Sequence, residues 1–210
     1  MEIRAAMNDQ INEARLIEDC QQGNRDAFRR LFETYKDRVW SIALHFSGNE
    51  AIAHDITQQV FLKLFTNIAQ FRHEASFGTW LYRLVVRTCL DDWRARRRFI
   101  SFDFLEASQS RDEEIDERYL MESRFSKRSL TQEERFSQHE ISEEVKAAIK
   151  KLKPKLRITI LLKYFEDLSY DEMARALGCS TGTVASRLNR GHKELARRLG
   201  HLRGKIDMKV

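Results

Sequence analysis

Proline is nearly absent: the 210 residues include one, Pro154. A β-rich chain of this length needs more turn punctuation, so the scarcity favours an all-α fold. Cysteine is sparse as well. Cys20, Cys89 and Cys179 lie far apart, with no CxxC pair and no Cys/His spacing. That supports neither a zinc site nor a disulfide framework, and the thiols read as buried in a reducing cytoplasm. The N-terminus has no apolar signal core, and no run approaches the ~18 apolar residues of a membrane span. A cytoplasmic protein without membrane insertion is expected. The six histidines (45, 54, 73, 139, 192, 201) form no HExxH or triad-like pattern, and no Gly-rich phosphate loop occurs. An enzyme is therefore disfavoured, and no cofactor or metal is implied.

What the chain does have is charge, at 33% of residues, with a net +5. Its distribution is uneven. Residues 83–98 hold six Arg (83, 87, 94, 96, 97, 98) against Asp91 and Asp92. Acidic side chains dominate 103–144, and basic ones return from 173 onward. Two basic blocks thus flank an acidic connector, which suits a nucleic-acid partner.

Hydrophobic content of 42% is enough for packed cores. Helical periodicity starts near Ala14, and Phe28, Leu31, Phe32, Tyr35, Val39, Ile42 and Leu44 recur mostly at three- and four-residue spacings. "SGNE" at 47–50 breaks the pattern, and "FRHEASF" at 71–77 breaks it again. A long helix then carries Trp80, Leu81, Leu84, Val85, Thr88 and Leu90 toward a core until about Arg98. The organisation predicted is a first helical unit over 12–98, a flexible acidic linker over 99–140, and a second helical unit over 141–203. Pro154 fits the first turn of a helix, where its missing N–H has no partner to lose.

The second unit carries the sharpest motif, "LSYDEMARALGCSTGTVASRLNRGHKEL". Ser169 and Glu172 form an S-x-x-E capping box. Ala174 is small where two helices cross. Gly178, four residues on, supplies a positive φ for a tight turn, and Ser180 can cap the next helix. Met173, Leu177, Val184 and Leu188 point inward. The outer face shows Thr181, Thr183, Ser186, Arg187, Asn189 and Arg190, side chains suited to phosphates and major-groove edges. This pattern reads as a helix-turn-helix that binds DNA. Lys193, Arg197, Arg198 and Arg203 add a basic tail that reads as a solvated face with salt-dependent phosphate affinity.

The arginine helix is open to two readings. Basic residues near a helix C-terminus complement the dipole, and Trp80 and Leu81 fit a core face. Yet Trp80, Tyr82 and Trp93 alternate with Arg, and Phe71 and Phe77 flank the preceding loop. Aromatics interleaved with Arg suit single-stranded nucleic acid.

Taken together, "AFRRLFETYKDRVW", "DITQQVFLKLF" and "FRHEASFGTWLYRLVVRTCLDDWRARRR" in the first unit, with "LKPKLRITILLKYFEDLSYDEMARALGCSTGTVASRLNRGHKEL" in the second, resemble bacterial RNA polymerase sigma factors of the extracytoplasmic-function group, in the sigma-70 family. The resemblance implies a sigma region 2 helical bundle and a sigma region 4 helix-turn-helix. It implies binding to core RNA polymerase, through the β′ clamp and β subunits, and promoter-specific initiation. Carried over by position, Phe71, Arg72, Ser76, Phe77, Trp80, Arg83, Arg87 and Arg94 meet the −10 element. Thr181, Thr183, Ala185, Ser186, Arg187, Asn189 and Arg190 meet the −35 element. Relatives often have a basic residue at Ala185 and Asn at Arg87, so this chain departs from the family pattern at two positions that face promoter bases. Anti-sigma partners hold most relatives inactive. The alternative is a helix-turn-helix regulator that never engages polymerase; the match at "FGTWLYRL" argues against it.

The departure lies in "IAHDITQQVF", where relatives read close to "DAEDLVQEVF". Ile52, His54 and Gln59 stand in place of acids, Asp55 remains, and Thr57 replaces Val. The polymerase contact falls to Asp55, Gln58, Gln59, Phe61 and Leu62. Either hydrogen bonds suffice for that contact, or phosphorylation of Thr57 by a Ser/Thr kinase restores the charge, as is thought for one subgroup of the family.

Overall fold

The computed structural model describes residues 13–106 and 132–202, with side chains described for 13–98 and 141–202. Every regular element among them is helical. A helix over 13–21 (α1) precedes α2 (Arg25–Ser47), α3 (Glu50–Asn67), a single 3₁₀ turn at Ile68–Gln70 and α4 (Phe77–Glu106). The second part holds α5 (Gln132–Lys150), α6 (Pro154–Tyr164), α7 (Tyr170–Leu177), α8 (Thr181–Leu199) and a closing 3₁₀ turn.

Local chemistry sets these boundaries. Asn24 caps α2, its side chain accepting from the Asp26 and Ala27 amides at 3.0 and 3.1 Å. The break expected at 47–50 divides its labour. Gly48 ends α2 in the left-handed region (φ 65°), and Asn49 caps α3 by accepting from the Ile52 amide at 3.0 Å. Pro154 occupies the first turn of α6 as expected.

The linker expected over 99–140 carries helix at both ends. Helix α4 runs to Glu106, and α5 begins at Gln132. Arg, Glu, Leu and Phe at these ends contain no Pro or Gly to stop a helix, so propagation from a formed helix wins over composition. The rest of that predicted linker falls outside the described residues.

In the first unit α2, α3 and α4 pack around Leu31, Val39, Ile42, Ile56, Val60, Leu64, Leu81 and Val85. Gln21 of α1 ties this bundle to the 3₁₀ turn, donating to the Ile68 and Phe71 carbonyls at 3.0 and 2.9 Å. In the second, Ile158, Leu161, Leu162, Met173, Val184 and Leu188 join α6, α7 and α8. Both sets belong to one continuous apolar cluster, because α2 packs on α6 and α4 on α7. This contact between the two units joins residues far apart in the chain and has no local signal in the sequence.

Candidate nucleic-acid interface

The helix-turn-helix follows its caps. The Ser169 hydroxyl accepts from the Glu172 amide, and the Glu172 carboxylate accepts from the Ser169 amide at 2.9 Å and hydroxyl at 2.6 Å. Those donors hold the Glu172 carboxyl below the usual carboxylate range. Gly178 closes α7 at φ 61°, and Ser180 starts α8 by accepting from the Thr183 amide at 3.2 Å.

On α8, Val184 and Leu188 are buried, while Ala185, Ser186, Asn189 and Arg190 are exposed on one face. Thr181 is exposed and Arg187 half-buried beside them. Arg190 folds back one turn, its Nε donating to the Ser186 carbonyl and its Nη2 to the Ser186 hydroxyl, both at 3.3 Å. This holds the guanidinium against Ser186 on the exposed face, and the first turn of α8 has no acid to repel phosphate. Thr183 also takes part in the cap. It is half-buried, with its hydroxyl 3.0 Å from that of Ser180. The tail is less basic than its residue count suggests, since Glu194 pairs with Arg197 at 2.9 Å and Arg198 at 2.7 Å. Arg203 lies outside the described residues.

A close crossing that the sequence reading did not name lies at Gly191, where a Cβ would lie 3.0 Å from Ile160 Cγ1 and 3.1 Å from Cδ1. A glycine inside a helix-forming run was the available signal, since its conformational cost asks for a packing reason.

Before α4 and at its start, Phe71 and Phe77 are buried, at 6% and 2% exposure, joined edge-to-face at 5.5 Å. Their rings lie 5.5 and 5.9 Å from that of the half-buried Trp80 and support it from below. The flanks of a loop looked exposed in sequence because both rings reach inward from it. Ser76 is exposed and caps α4, accepting from the Thr79 amide at 3.2 Å. Arg72 is exposed. Arg83 and Arg87 are exposed without an ion pair among the described residues, whereas Arg94 is held by Asp91 at 2.7 Å. Arg96 binds Asp92 at 2.9 Å and reaches Asp55 at 3.5 Å, and Arg97 lies over the Trp93 ring. Arg83 and Arg87 are thus well disposed for a nucleic-acid backbone, and Arg98 is exposed as well.

On α3, Asp55, Gln58, Gln59 and Leu62 are exposed. Phe61 is not: it is buried against Phe32, ring centroids 4.6 Å apart. Phe65, which sequence reasoning passed over, is 58% exposed beside Leu62 at 57%. Leu62 and Phe65, one and two helical turns from Gln58, form an exposed apolar pair with few charges beside it. Two of the missing acids also have structural reasons. His54 lays its ring 4.1 Å from Trp40 of α2, and Ile52 packs against the core. The Thr57 side-chain oxygen is enclosed and has no hydrogen-bond partner.

Known proteins share this arrangement. The Sigma-70 region 2 family matches residues 31–99, and the Sigma-70, region 4 family matches 142–195. The ECF RNA polymerase sigma factor SigW of Bacillus subtilis is 31% identical over 89% of this chain and 96% of its own. The RNA polymerase sigma-H factor of Pseudomonas aeruginosa is 28% identical over 90% and 95%. Among solved structures, CnrH in complex with the cytosolic domain of CnrY aligns with a TM-score of 0.61 at 20% identity, over 89% of this chain and 96% of that one. The sigma factor RpoE bound to the anti-sigma factor NepR, from Bartonella quintana, gives 0.60 at 20% over 82% and 96%. At such identity these structures speak for the fold. The two family matches in order, and a relative matched along nearly its whole length, make this chain a member of the extracytoplasmic-function RNA polymerase sigma factors of the sigma-70 family.

Proposed function

We propose that the work of a sigma factor, binding core RNA polymerase and directing promoter-specific initiation, is divided among three surfaces of this chain. The stripe Asp55, Gln58, Gln59, Leu62 and Phe65 on α3 docks the β′ clamp. There, apolar burial and amide hydrogen bonds replace the charge attraction expected of relatives. Arg72, Trp80, Arg83, Arg87 and Arg94 of the α4 region engage the −10 element. Thr181, Ala185, Ser186, Asn189 and Arg190 of α8 read the −35 element, with Arg187 close by. The division into units over 12–98 and 141–203, with a linker between, follows from these roles. The chain supplies no catalysis of its own, and its place is the cytoplasm, where the polymerase works.

The observation that carries this reading is the coincidence of exposure with function on α8. Its inward residues are buried and its hydrogen-bonding face is free. The family expectation alone cannot arrange that in a particular chain.

Thr57 is the position at which a kinase would add charge to the α3 surface. Its oxygen is enclosed, so modification requires the edge of α3 to loosen first. Ile52 and His54 favour the simpler account, in which part of the lost acidity reflects packing onto α2. Capture of purified core polymerase by wild type, Leu62→Asp, Thr57→Ala and Thr57→Glu separates the possibilities. Leu62→Asp should weaken capture at least tenfold, on the order of 1.4 kcal/mol. Unchanged capture by that variant would remove α3 from the interface. Equal capture by the two Thr57 variants and wild type would end the switch.

A further inference from the structure

Arg96 belongs to none of the three proposed surfaces. It sits at the seam between α4 and α3. Its Nε donates to both carboxylate oxygens of Asp92, one turn back, at 3.0 and 2.9 Å, and its Nη2 lies 3.5 Å from Asp55 Oδ2 on α3. Further along the seam, the Lys63 ammonium of α3 donates to the Thr88 hydroxyl of α4 at 3.1 Å. The two pairings lie about two turns apart on each helix and run in opposite directions, so Gln59 comes level with Asp92 midway.

The geometry decides which acid is fixed and which is available. The Asp92 side chain is nearly enclosed, at 11% exposure, and holds the guanidinium by short charge-assisted bonds. Asp55 is open, at 61%, and meets Arg96 only through the longer contact. Arg96 therefore stays with Asp92 and leans its charge on Asp55. Asp55 is the one carboxylate of the docking stripe; Gln58, Gln59, Leu62 and Phe65 carry no charge. Lys63 adds a second cation at the far end of the seam. Without Arg96 the seam would hold two unpaired carboxylates. An ion pair this exposed contributes little to stability, so its consequence lies in the field that the surface presents to a partner.

From this arrangement we propose that Arg96 is an internal counterion of the polymerase-docking surface, a specificity residue that masks Asp55 and Asp92 and so sets the rate and salt dependence of docking. The inference rests on the assignment of α3 to the clamp contact. A basic partner is steered weakly by a patch whose acids are already paired, and docking then relies on Leu62 and Phe65. The scarcity of acids in this stretch of α3 and the pairing of the one that remains act in the same direction. During docking a cation of the partner can take Asp55 without stranding Arg96, because Asp92 keeps it paired.

The test times association of the full chain with purified core polymerase across a salt series, for wild type, Arg96→Gln, Arg96→Lys and Asp92→Asn. Arg96→Gln uncovers two carboxylates and should associate about fivefold faster at low salt, with the gain fading as salt screens the field. Arg96→Lys keeps the charge and should stay near wild type. Asp92→Asn leaves the arginine in excess and should slow association. A merely structural role would lower helix content and melting temperature and would not give Arg96→Gln and Asp92→Asn opposite signs. If Arg96→Gln loses helix content, the isosteric Asp92→Asn carries the test by its slowing. An Arg96→Gln rate no higher than wild type at low salt, or a gain that persists at high salt, would overturn the counterion role. So would Asp92→Asn associating as fast as wild type. Leu62→Asp is measured alongside. If it captures polymerase normally, the assignment of α3 fails and the counterion role falls with it. If it weakens capture while Arg96→Gln and wild type coincide, only the counterion role fails.

Discussion

Helices α8 and α4 are both proposed to touch promoter DNA, and they solve the problem differently. Helix α8 separates its duties by angle, with Val184 and Leu188 inward and Ser186, Asn189 and Arg190 outward. Helix α4 interleaves them. Trp80 rests on a buried aromatic floor, Tyr82 is sealed by the second unit, and Arg83 and Arg87 emerge between. A duplex reader needs only a rigid rod with one free face. A surface for melted DNA needs rings held at fixed height, and those rings must be anchored in the core.

That contrast can be broken at its foundation. Leu161 is fully buried in α6, within the apolar cluster both units share. Leu161→Ala should cost about 2–5 kcal/mol. If the contact between units is strong, denaturant unfolding followed by Trp fluorescence should shift too, although the three Trp (40, 80 and 93) all lie in the first unit. A Trp signal that does not move would show the halves unfolding independently.

A smaller effect separates the two surfaces. Arg190→Ala removes an exposed side chain from α8, and should cost about 1–3 kcal/mol in discrimination of one −35 base while leaving the melting temperature unchanged. Arg87→Ala should instead weaken open-complex formation and reduce its salt dependence, with little change at the −35 element. Footprinting and permanganate reactivity across a salt series check both. Identical profiles for the two variants would erase the distinction.

The smallest effect is one of pH. The Ser169 hydroxyl and amide hold the Glu172 carboxyl low. Its folded pKa is depressed, so its contribution is present above the unfolded carboxylate pKa and fades as pH falls through the folded value. Amides at the start of α7 should lose exchange protection in mild acid in the wild type, but not in Glu172→Gln, which keeps an acceptor at every pH.

The legibility of each part follows the same division. The capping box, Gly178 and the outer face of α8 were readable because each rests on interactions between residues a few positions apart. The α3–α4 bundle was readable as helices for the same reason. The burial of Phe61, Phe71 and Phe77 was not legible because an aromatic beside polar residues looks alike in sequence whether its ring turns inward or outward. Gly191 was passed over because its reason, Ile160, lies on another helix.

Short-range order therefore came from the sequence itself: helix ends, periodic faces, the turn of the helix-turn-helix and the two basic blocks. The tertiary structure alone decided which aromatics are floor and which are surface. It alone enclosed the Thr57 oxygen, and it brought Arg157 to the ends of α2 and α5 together. The reason is distance along the chain. A cap or a heptad-like spacing is complete within a few residues, whereas the contact of Arg157 with Phe46 joins residues 111 positions apart and exists only once both units have folded and met.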